Sequence, residues 1–254
     1  VAVPDAVPPS GGYASAWLLD GNAALMETGA DFMASLAGQP RPPVLVYIGY
    51  DNDLRITADA RAYDYTPRRA GGEQAQGDAV PGRLNGGADA FLEVISRDVL
   101  PRVEEIVPLD PARRTLWGHS YGGVFVLHAL ATKTNLFSTY AAADPSLWWG
   151  EAHLLREEFS DLEAPLPRLR LWTGSGGASG DAAAAAPGRD PEMVAALRAA
   201  RASAPADALL RLVERLRARG LEVRHDQLEG LSHGMTLGES LRQLLAGMAR
   251  EEGR

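Results

Sequence analysis

The sequence predicts one α/β domain over residues 1–254, built on a doubly wound and mostly parallel sheet with helices on both faces. Three observations lead to this prediction. The chain has 254 residues, of which 46% are hydrophobic, enough for one domain with a large core. Charged residues make up 23% and form no tract of like charge, which excludes intrinsic disorder for most of the chain. Apolar runs of strand length alternate with stretches of helical periodicity, which is the pattern of βαβ units.

The predicted elements follow one another in the order that this fold requires. Strands are predicted at Ala14–Leu19, Val44–Gly49, Thr115–Trp117, Ser138–Ala142, Leu169–Trp172 and Val223–Leu228. Helices are predicted at Ala23–Leu36, Gly87–Ile106, Gly122–Thr132, Pro191–Arg219 and Gly238–Arg250. Residues 51–87 and 174–191 interrupt the alternation and are predicted to be long loops at the rim of a binding site. Val1–Pro4 resembles a strand end, which predicts that the first strand or strands of the fold lie upstream.

Charge and composition narrow the range of partners. Lys and Arg number 25 against 33 Asp and Glu, so the net charge is −8. This balance argues against nucleic acid as a partner, because such proteins need a basic surface. No apolar run approaches the roughly 20 residues of a membrane-spanning helix. The chain has no Cys, which excludes disulfides, thiolate metal sites and Cys nucleophiles. No cofactor and no metal are expected.

A glycine-rich turn between a predicted strand and a predicted helix carries the first sign of chemistry. It reads Gly118-His119-Ser120-Tyr121-Gly122, a G-x-S-x-G pattern, and Gly123 follows it. Such a turn holds the serine in a strained backbone conformation at the carboxyl edge of the sheet. The amino terminus of the next helix offers N–H groups to a developing oxyanion. Ser120 is therefore the predicted nucleophile.

A serine at its ordinary pKa needs a general base, and the chain has five histidines. His233 lies after the last predicted strand and before the last predicted helix, where α/β-hydrolases carry the base. His119 points the wrong way for proton abstraction. The others are interpreted as packing or surface residues: His128, His153 and His225. His233 is therefore the predicted base.

The acid that would complete a triad is harder to identify. It is expected after Leu169–Trp172, yet residues 173–177 contain no carboxylate. Asp181 is the nearest candidate, because a glycine-rich loop could carry it inward, and Asp190 is the next. A Ser-His dyad is the alternative, in which a backbone carbonyl or a water fixes the histidine tautomer.

The second oxyanion donor is expected in the loop after Ala14–Leu19. There the amide of Gly21 or of Asn22 would face the oxyanion beside the amide of Tyr121. Gly21 allows close approach of the backbone because it has no side chain. These three residues form the predicted oxyanion hole.

With these residues placed, the chain resembles the siderophore esterase branch of the α/β-hydrolases, closest to the periplasmic trilactone hydrolases of enterobactin and salmochelin. Its two most specific runs are Arg61-Ala62-Tyr63-Asp64-Tyr65-Thr66-Pro67 and Pro145-Ser146-Leu147-Trp148-Trp149. The other shared runs are Leu19–Ala23, Ile48–Tyr50, Trp117–Gly123, Gly174-Ser175 with Gly180-Asp181, and His233-Gly234. Members of this branch act through Ser and His with a weak or absent acid. Asp144 departs from the family, which usually has a small residue there.

The resemblance implies a serine esterase that cleaves a catecholate siderophore, iron-free or ferric, through an acyl-enzyme. That ligand is strongly anionic and the net charge of the protein is −8, so a local positive patch is expected. The arginines that would supply it are Arg41, Arg55, Arg61, Arg68, Arg69 and Arg83. Arg61 is the predicted binding residue among them, Tyr63 and Tyr65 would stack on catechol rings, and Trp148 would line the pocket or pack under it.

A general carboxylesterase or an S-formylglutathione-type thioesterase is the alternative function, since it shares the Ser-His machinery without needing an arginine-rich rim. A non-catalytic module with this fold would lack the nucleophile turn or the base, and the sequence has both. The resemblance implies a periplasmic location, with the cytoplasm as the alternative.

Overall fold

The computed structural model describes residues 1–68, 82–132, 135–156, 164–176 and 207–250, with positions 159, 162, 192, 195–196, 199–200 and 204–205 between them. Six strands of this part of the chain form one parallel sheet in the order β2-β1-β3-β4-β5-β6. They are β1 (Tyr13–Leu18), β2 (Val44–Tyr47), β3 (Leu109–His119), β4 (Thr139–Ala143), β5 (Arg168–Gly174) and β6 (Glu222–Leu228). At the outer edge, Ala2 pairs antiparallel with Leu45.

The strand order reverses beside β1, which confirms the predicted doubly wound α/β fold. The chain passes from β1 outward to β2, and it then continues with β3 on the other side of β1. Open α/β sheets bind ligands at the carboxyl ends of the strands at such a switch point. In this protein those ends belong to β1 and β3.

The sheet separates two hydrophobic cores, because successive side chains of a strand point to opposite faces. In β1, Trp17 lies in one core, whereas Ala16 and Leu18 lie in the other. Helices cover both faces, so β1 is buried along its whole length and is apolar except for Ser15 and the hydroxyl of Tyr13.

The helices on the first face are α4 (Ala88–Val94), α5 (Leu100–Ile106), α6 (Tyr121–Thr132) and α8 (Ala208–Ala218). On the second face lie α1 (Gly21–Thr28), α2 (Ala30–Ala37) and α9 (His233–Arg250). Two further short helices follow strand ends, α3 (Ala58–Asp64) after β2 and α7 (Trp149–Ala152) after β4, and α7 leads into a 3₁₀ turn at His153–Leu155.

Several element boundaries differ from the prediction for local reasons. The predicted helix Ala23–Leu36 is two helices, because the backbone leaves the helical conformation at Gly29. Between α4 and α5, residues Ile95–Val99 form a π-helical turn, next to Pro101, which has no N–H for a regular helical bond. α3 lies inside the predicted loop 51–87. Residues 69–81 of the first predicted loop and 177–191 of the second lie outside the described residues, as does about half of 191–207.

Candidate active site

The carboxyl ends of three adjacent strands carry non-glycine residues with positive φ angles. They are Asp20 after β1 (49°), Ser120 after β3 (59°) and Asp144 after β4 (41°). Each such residue costs on the order of 1–3 kcal/mol, and such strain clusters at functional sites. At the Ser120 turn the strain is accompanied by close packing, since a Cβ on Gly118 would lie 2.4 Å from the carbonyl oxygen of Gly122. The turn therefore requires glycine at that position.

His233 reaches the predicted nucleophile across the sheet edge. It is the first residue of α9, and its Nε2 lies 3.0 Å from Ser120 Oγ, although the two residues are 113 positions apart. The His119 ring holds the base segment, because its Nε2 lies 2.7 Å from the His233 carbonyl oxygen and donates to it. Burial lowers the pKa of His119 well below its usual value, and the charge of His233 adds to the effect. The neutral His119 ring thus serves as a hydrogen-bond donor that positions His233.

The structure brings a carboxylate to the far side of the His233 ring, and this carboxylate is Asp144. Its Oδ2 lies 3.6 Å from His233 Nδ1. The Thr236 hydroxyl lies 2.9 Å from Asp144 Oδ2 and 2.7 Å from the His233 carbonyl oxygen, and the Gly174 N–H is shared between the two oxygens of the Asp144 carboxylate at 3.3 Å each. An acid in this position fixes the tautomer that leaves Nε2 able to accept the proton of the serine. Asp181, the nearest candidate acid in the sequence, lies outside the described residues.

Of the two backbone amides after β1 that are candidates for the oxyanion hole, one has no partner among the described residues and is free to donate to an oxyanion. The Gly21 N–H donates at 2.8 Å to the carbonyl of Ile48, the residue after β2, so this N–H already has a partner. The Asn22 N–H makes no hydrogen bond to any residue that the structure describes, and the Asn22 side chain binds the backbone of Tyr50 at both ends. Asn22 is therefore the better loop donor, beside the Tyr121 amide that begins α6.

Arg61 lies in the protein interior and not at an open rim. Its side chain is 10% exposed, and it forms a two-pronged ion pair with Asp20, with Nε to Oδ1 and Nη2 to Oδ2 both at 2.7 Å. Nη2 also donates to the His119 carbonyl at 3.1 Å. Burial alone would lower the pKa of Arg61, but the charge and bonds of Asp20 raise it, so the guanidinium stays charged. The Arg61 side chain thus links the oxyanion loop to the nucleophile turn, and its role in substrate binding stays a prediction.

The aromatic residues predicted to contact substrate occupy different environments. Tyr65 is fully buried, and its hydroxyl accepts the Asp20 N–H at 2.9 Å, so its ring cannot stack on a ligand. Tyr63 is 42% exposed and lies against Gly87, where a Cβ would meet its ring at 2.5 Å. Trp148 packs beside Tyr121, with ring centroids 5.8 Å apart. Of the three, Trp148 is adjacent to the nucleophile turn.

Three of the six arginines expected to form a positive rim are paired with carboxylates, namely Arg55, Arg61 and Arg83. Arg55 Nη2 lies 2.6 Å from Glu27, which also receives Arg242 at 3.2 Å. Arg83 Nε lies 2.9 Å from Asp59. Arg69 lies outside the described residues. Much of the expected positive charge is thus neutralised locally.

One group of side chains at the site has the composition of a metal site. The ligand atoms of His119, Asp144 and His233 lie within 4.8 Å of one another, the one such group among the described residues. A metal ion held there would occupy His233, which serine chemistry needs for proton transfer. These three residues can therefore either bind a metal ion or leave His233 available for proton transfer, but not both at once.

Two residues of the site were not identified from the sequence. The family pattern marks Asp144 only as a departure, although Asp144 lies two residues after the predicted strand Ser138–Ala142 and therefore near the carboxyl edge of the sheet. Ser146 has its Oγ 3.1 Å from Ser120 Oγ and is 3% exposed. Both residues follow β4, the strand beside the strand that carries Ser120, and this position in the sequence could have placed them near the nucleophile.

Comparison with known proteins gives relatives that are named as esterases. The chain is 38% identical over 157 residues to the apo-salmochelin esterase of Escherichia coli O6:H1 strain CFT073, a match covering 61% of this chain and 48% of that protein. It is 33% identical over 165 residues to the ferri-bacillibactin esterase BesA of Bacillus subtilis strain 168, covering 62% and 56%. These matches span about half the length of the curated relatives.

A solved structure and a family model cover more of the chain. The siderophore hydrolase EstA from Aspergillus nidulans superimposes with a TM-score of 0.75 at 31% identity, covering 94% of this chain and 84% of that one. Residues 1–210 match the esterase family described as "Putative esterase". Because that match includes most of the chain, the protein belongs to this esterase family.

Proposed function

We propose that this protein is a serine esterase that hydrolyses the ester bonds of a catecholate siderophore macrolactone of the enterobactin or salmochelin type through an acyl-enzyme. The observation that carries the proposal is the distance of 3.0 Å between Ser120 Oγ and His233 Nε2 at a strained strand-to-helix turn. Asp144 stands behind the histidine at 3.6 Å, which extends the pair toward a triad.

In the acylation step, Ser120 Oγ forms a bond to the ester carbonyl carbon while His233 Nε2 takes the serine proton. The carboxylate of Asp144 faces Nδ1–H and stabilises the imidazolium that forms. The amides of Asn22 and Tyr121 donate to the carbonyl oxygen as it becomes an oxyanion. The bond to the alkoxide then breaks, and that oxygen receives the proton from His233. A water repeats the sequence on the acyl-enzyme and releases the acid.

The substrate class rests on the relatives and on the surroundings of Ser120. Two of the relatives are named for siderophores, salmochelin and bacillibactin. Trp148 beside Tyr121 offers an aromatic surface next to the nucleophile turn, suited to the catechol rings of such ligands.

A general carboxylesterase is the second candidate, and the pairing of Arg55 and Arg83 with carboxylates favours it. A rim whose arginines are already neutralised offers a strongly anionic ferric complex less attraction than the sequence suggested. An S-formylglutathione-type thioesterase belongs to the same class of candidates. Neither needs a cationic rim.

For location, we propose the periplasm, with the cytoplasm as the alternative. Within the described part of the chain, no helix is long and apolar enough to cross a bilayer. Fractionation of the native host followed by immunodetection of this chain separates the two locations.

The test combines product analysis with removal of the nucleophile. The wild-type protein is incubated with iron-free and ferric enterobactin and with a panel of p-nitrophenyl esters, and the products are separated by chromatography. We expect linear siderophore fragments from the wild type and less than a few per cent of that turnover from Ser120→Ala, because no acyl-enzyme can form. Hydrolysis of the small esters without cleavage of the siderophore would instead support the general carboxylesterase.

A further inference from the structure

A second hydroxyl group touches the nucleophile oxygen. Ser146 Oγ lies 3.1 Å from Ser120 Oγ, and its residue is 3% exposed. Ser146 lies just after β4, and its amide donates to the Ser120 carbonyl at 3.2 Å. The preceding Pro145 packs closely on the nucleophile turn, because a Cβ on Gly123 would lie 2.9 Å from Pro145 Cα. Backbone contacts therefore hold the Ser146 side chain against Ser120.

The number of protons at Ser120 fixes the direction of this bond. A serine hydroxyl carries one proton, and in the reactive arrangement Ser120 gives it to His233 Nε2. The contact between the two serine oxygens then needs the proton of Ser146. We infer that Ser146 is a catalytic residue that donates a hydrogen bond to Ser120 Oγ, an inference that rests on the proposed esterase function.

Such a donor acts on the nucleophile whenever that oxygen carries charge. During acylation, His233 removes the proton of Ser120 while Oγ bonds to the ester carbon, and the Ser146 O–H occupies a second lone pair and orients the remaining one for attack. During deacylation, water bonds to the acyl carbon while His233 Nε2 takes a proton from the water, the carbon to Ser120 Oγ bond breaks, and Oγ receives that proton from His233. Ser146 stabilises the departing oxygen in this step. Its own proton is never transferred, so the proton balance of each step is unchanged.

A hydrogen-bond donor to Ser120 Oγ and a serine that only packs in the interior would affect different measurable properties. A packing serine would affect the stability of the fold, whereas a donor to Ser120 Oγ affects both chemical steps with little effect on binding of the ester. The chain offers a matched control in Ser240, which is fully buried and whose hydroxyl donates to the Leu237 carbonyl at 3.2 Å. Ser240→Ala deletes the same group from the interior without touching Ser120.

The test measures acylation directly in Ser146→Ala, Ser240→Ala and the wild type. The probes are p-nitrophenyl acetate, followed by its pre-steady-state burst, and a fluorophosphonate whose attachment to Ser120 is timed by mass spectrometry. We expect Ser146→Ala to lower the burst rate, the phosphonylation rate and kcat by about 10- to 100-fold at nearly unchanged KM and melting temperature. Ser240→Ala should label Ser120 at the wild-type rate.

Ser146→Cys keeps a weak hydrogen-bond donor of similar size and replaces the alanine variant in the test if that variant does not fold. Its burst rate and phosphonylation rate should lie between those of the wild type and of Ser146→Ala. Phosphonylation of the folded Ser146 variants within two-fold of the wild-type rate would overturn the inference. The inference would also be overturned if Ser146→Ala lost activity only in proportion to its loss of folded protein. Ser120→Ala, run beside them, separates the two proposals. If it remains active, the esterase proposal fails, whereas an inactive Ser120→Ala with a fully active Ser146→Ala refutes the role of Ser146 alone.

Discussion

Replacement of Arg61 by Met tests whether this residue supports the site or binds the substrate. The substitution keeps much of the length and apolar character of the side chain and removes the guanidinium. It leaves the Asp20 carboxylate, whose side chain is 2% exposed, without its two bonds of 2.7 Å. It also removes the donor to the His119 carbonyl.

The expected cost follows from the burial of the pair. Removing one partner of a buried ion pair typically costs about 3–5 kcal/mol, because the other charge is left uncompensated. For a chain of this size each kcal/mol lowers the melting temperature by about 2–4 °C, so Arg61→Met should melt about 6–20 °C below the wild type. Arg55→Met is the matched control, since that arginine pairs with Glu27 at a side-chain exposure of 44% and should contribute at most about 1 kcal/mol.

Thermal and urea unfolding measure the stability, and kcat/KM is measured on an anionic siderophore and on a small uncharged ester. Because Asp20 adjoins the oxyanion loop, we expect both substrates to lose turnover together in Arg61→Met. The additional change Asp20→Asn should recover part of the stability, since no charge then remains buried. An unchanged melting temperature together with a raised KM for the siderophore alone would refute this reasoning and return Arg61 to the substrate-binding site.

Three further predictions concern the base and its neighbours. Asp144→Ala should lower kcat by about 10²- to 10⁴-fold with little change in KM, and a loss of less than three-fold would favour a Ser-His dyad. Burial lowers the pKa of His119 in the folded protein, so below about pH 6.5 the unfolded chain binds a proton at this residue that the folded chain does not bind. The melting temperature should therefore fall as the pH is lowered from 7.5 to 5, and it should fall less in His119→Gln. EDTA should leave the activity unchanged, whereas added Zn²⁺ should inhibit by occupying His233 and Asp144, and inactivation by EDTA would instead indicate a metal-dependent reaction.

Features that are local along the chain could be predicted from the amino-acid sequence alone. The alternation of apolar runs and helical periodicity was enough to predict the parallel sheet, because each pattern reports on a few adjacent residues. The turn around Ser120 was visible for the same reason, since strand, glycines and helix lie within one short segment. His233 followed from its place after the last strand, and its role stays a prediction that the distance of 3.0 Å supports.

Which side chains from distant parts of the chain meet became clear from the three-dimensional fold. Asp144 lies near His233 because parallel strands bring their carboxyl ends to one edge of the sheet. The hydroxyl of Thr236 binds the Asp144 carboxylate although the two residues are 92 positions apart. The bond between Arg61 and Asp20 spans 41 residues, and the Gly21 amide donates to the carbonyl of Ile48, just after the neighbouring strand β2. Motifs specify which groups are present in a loop, but the register of strands and the packing of helices decide whether an arginine faces solvent or an interior carboxylate. That choice depends on contacts between segments, which the order of residues along one segment does not encode.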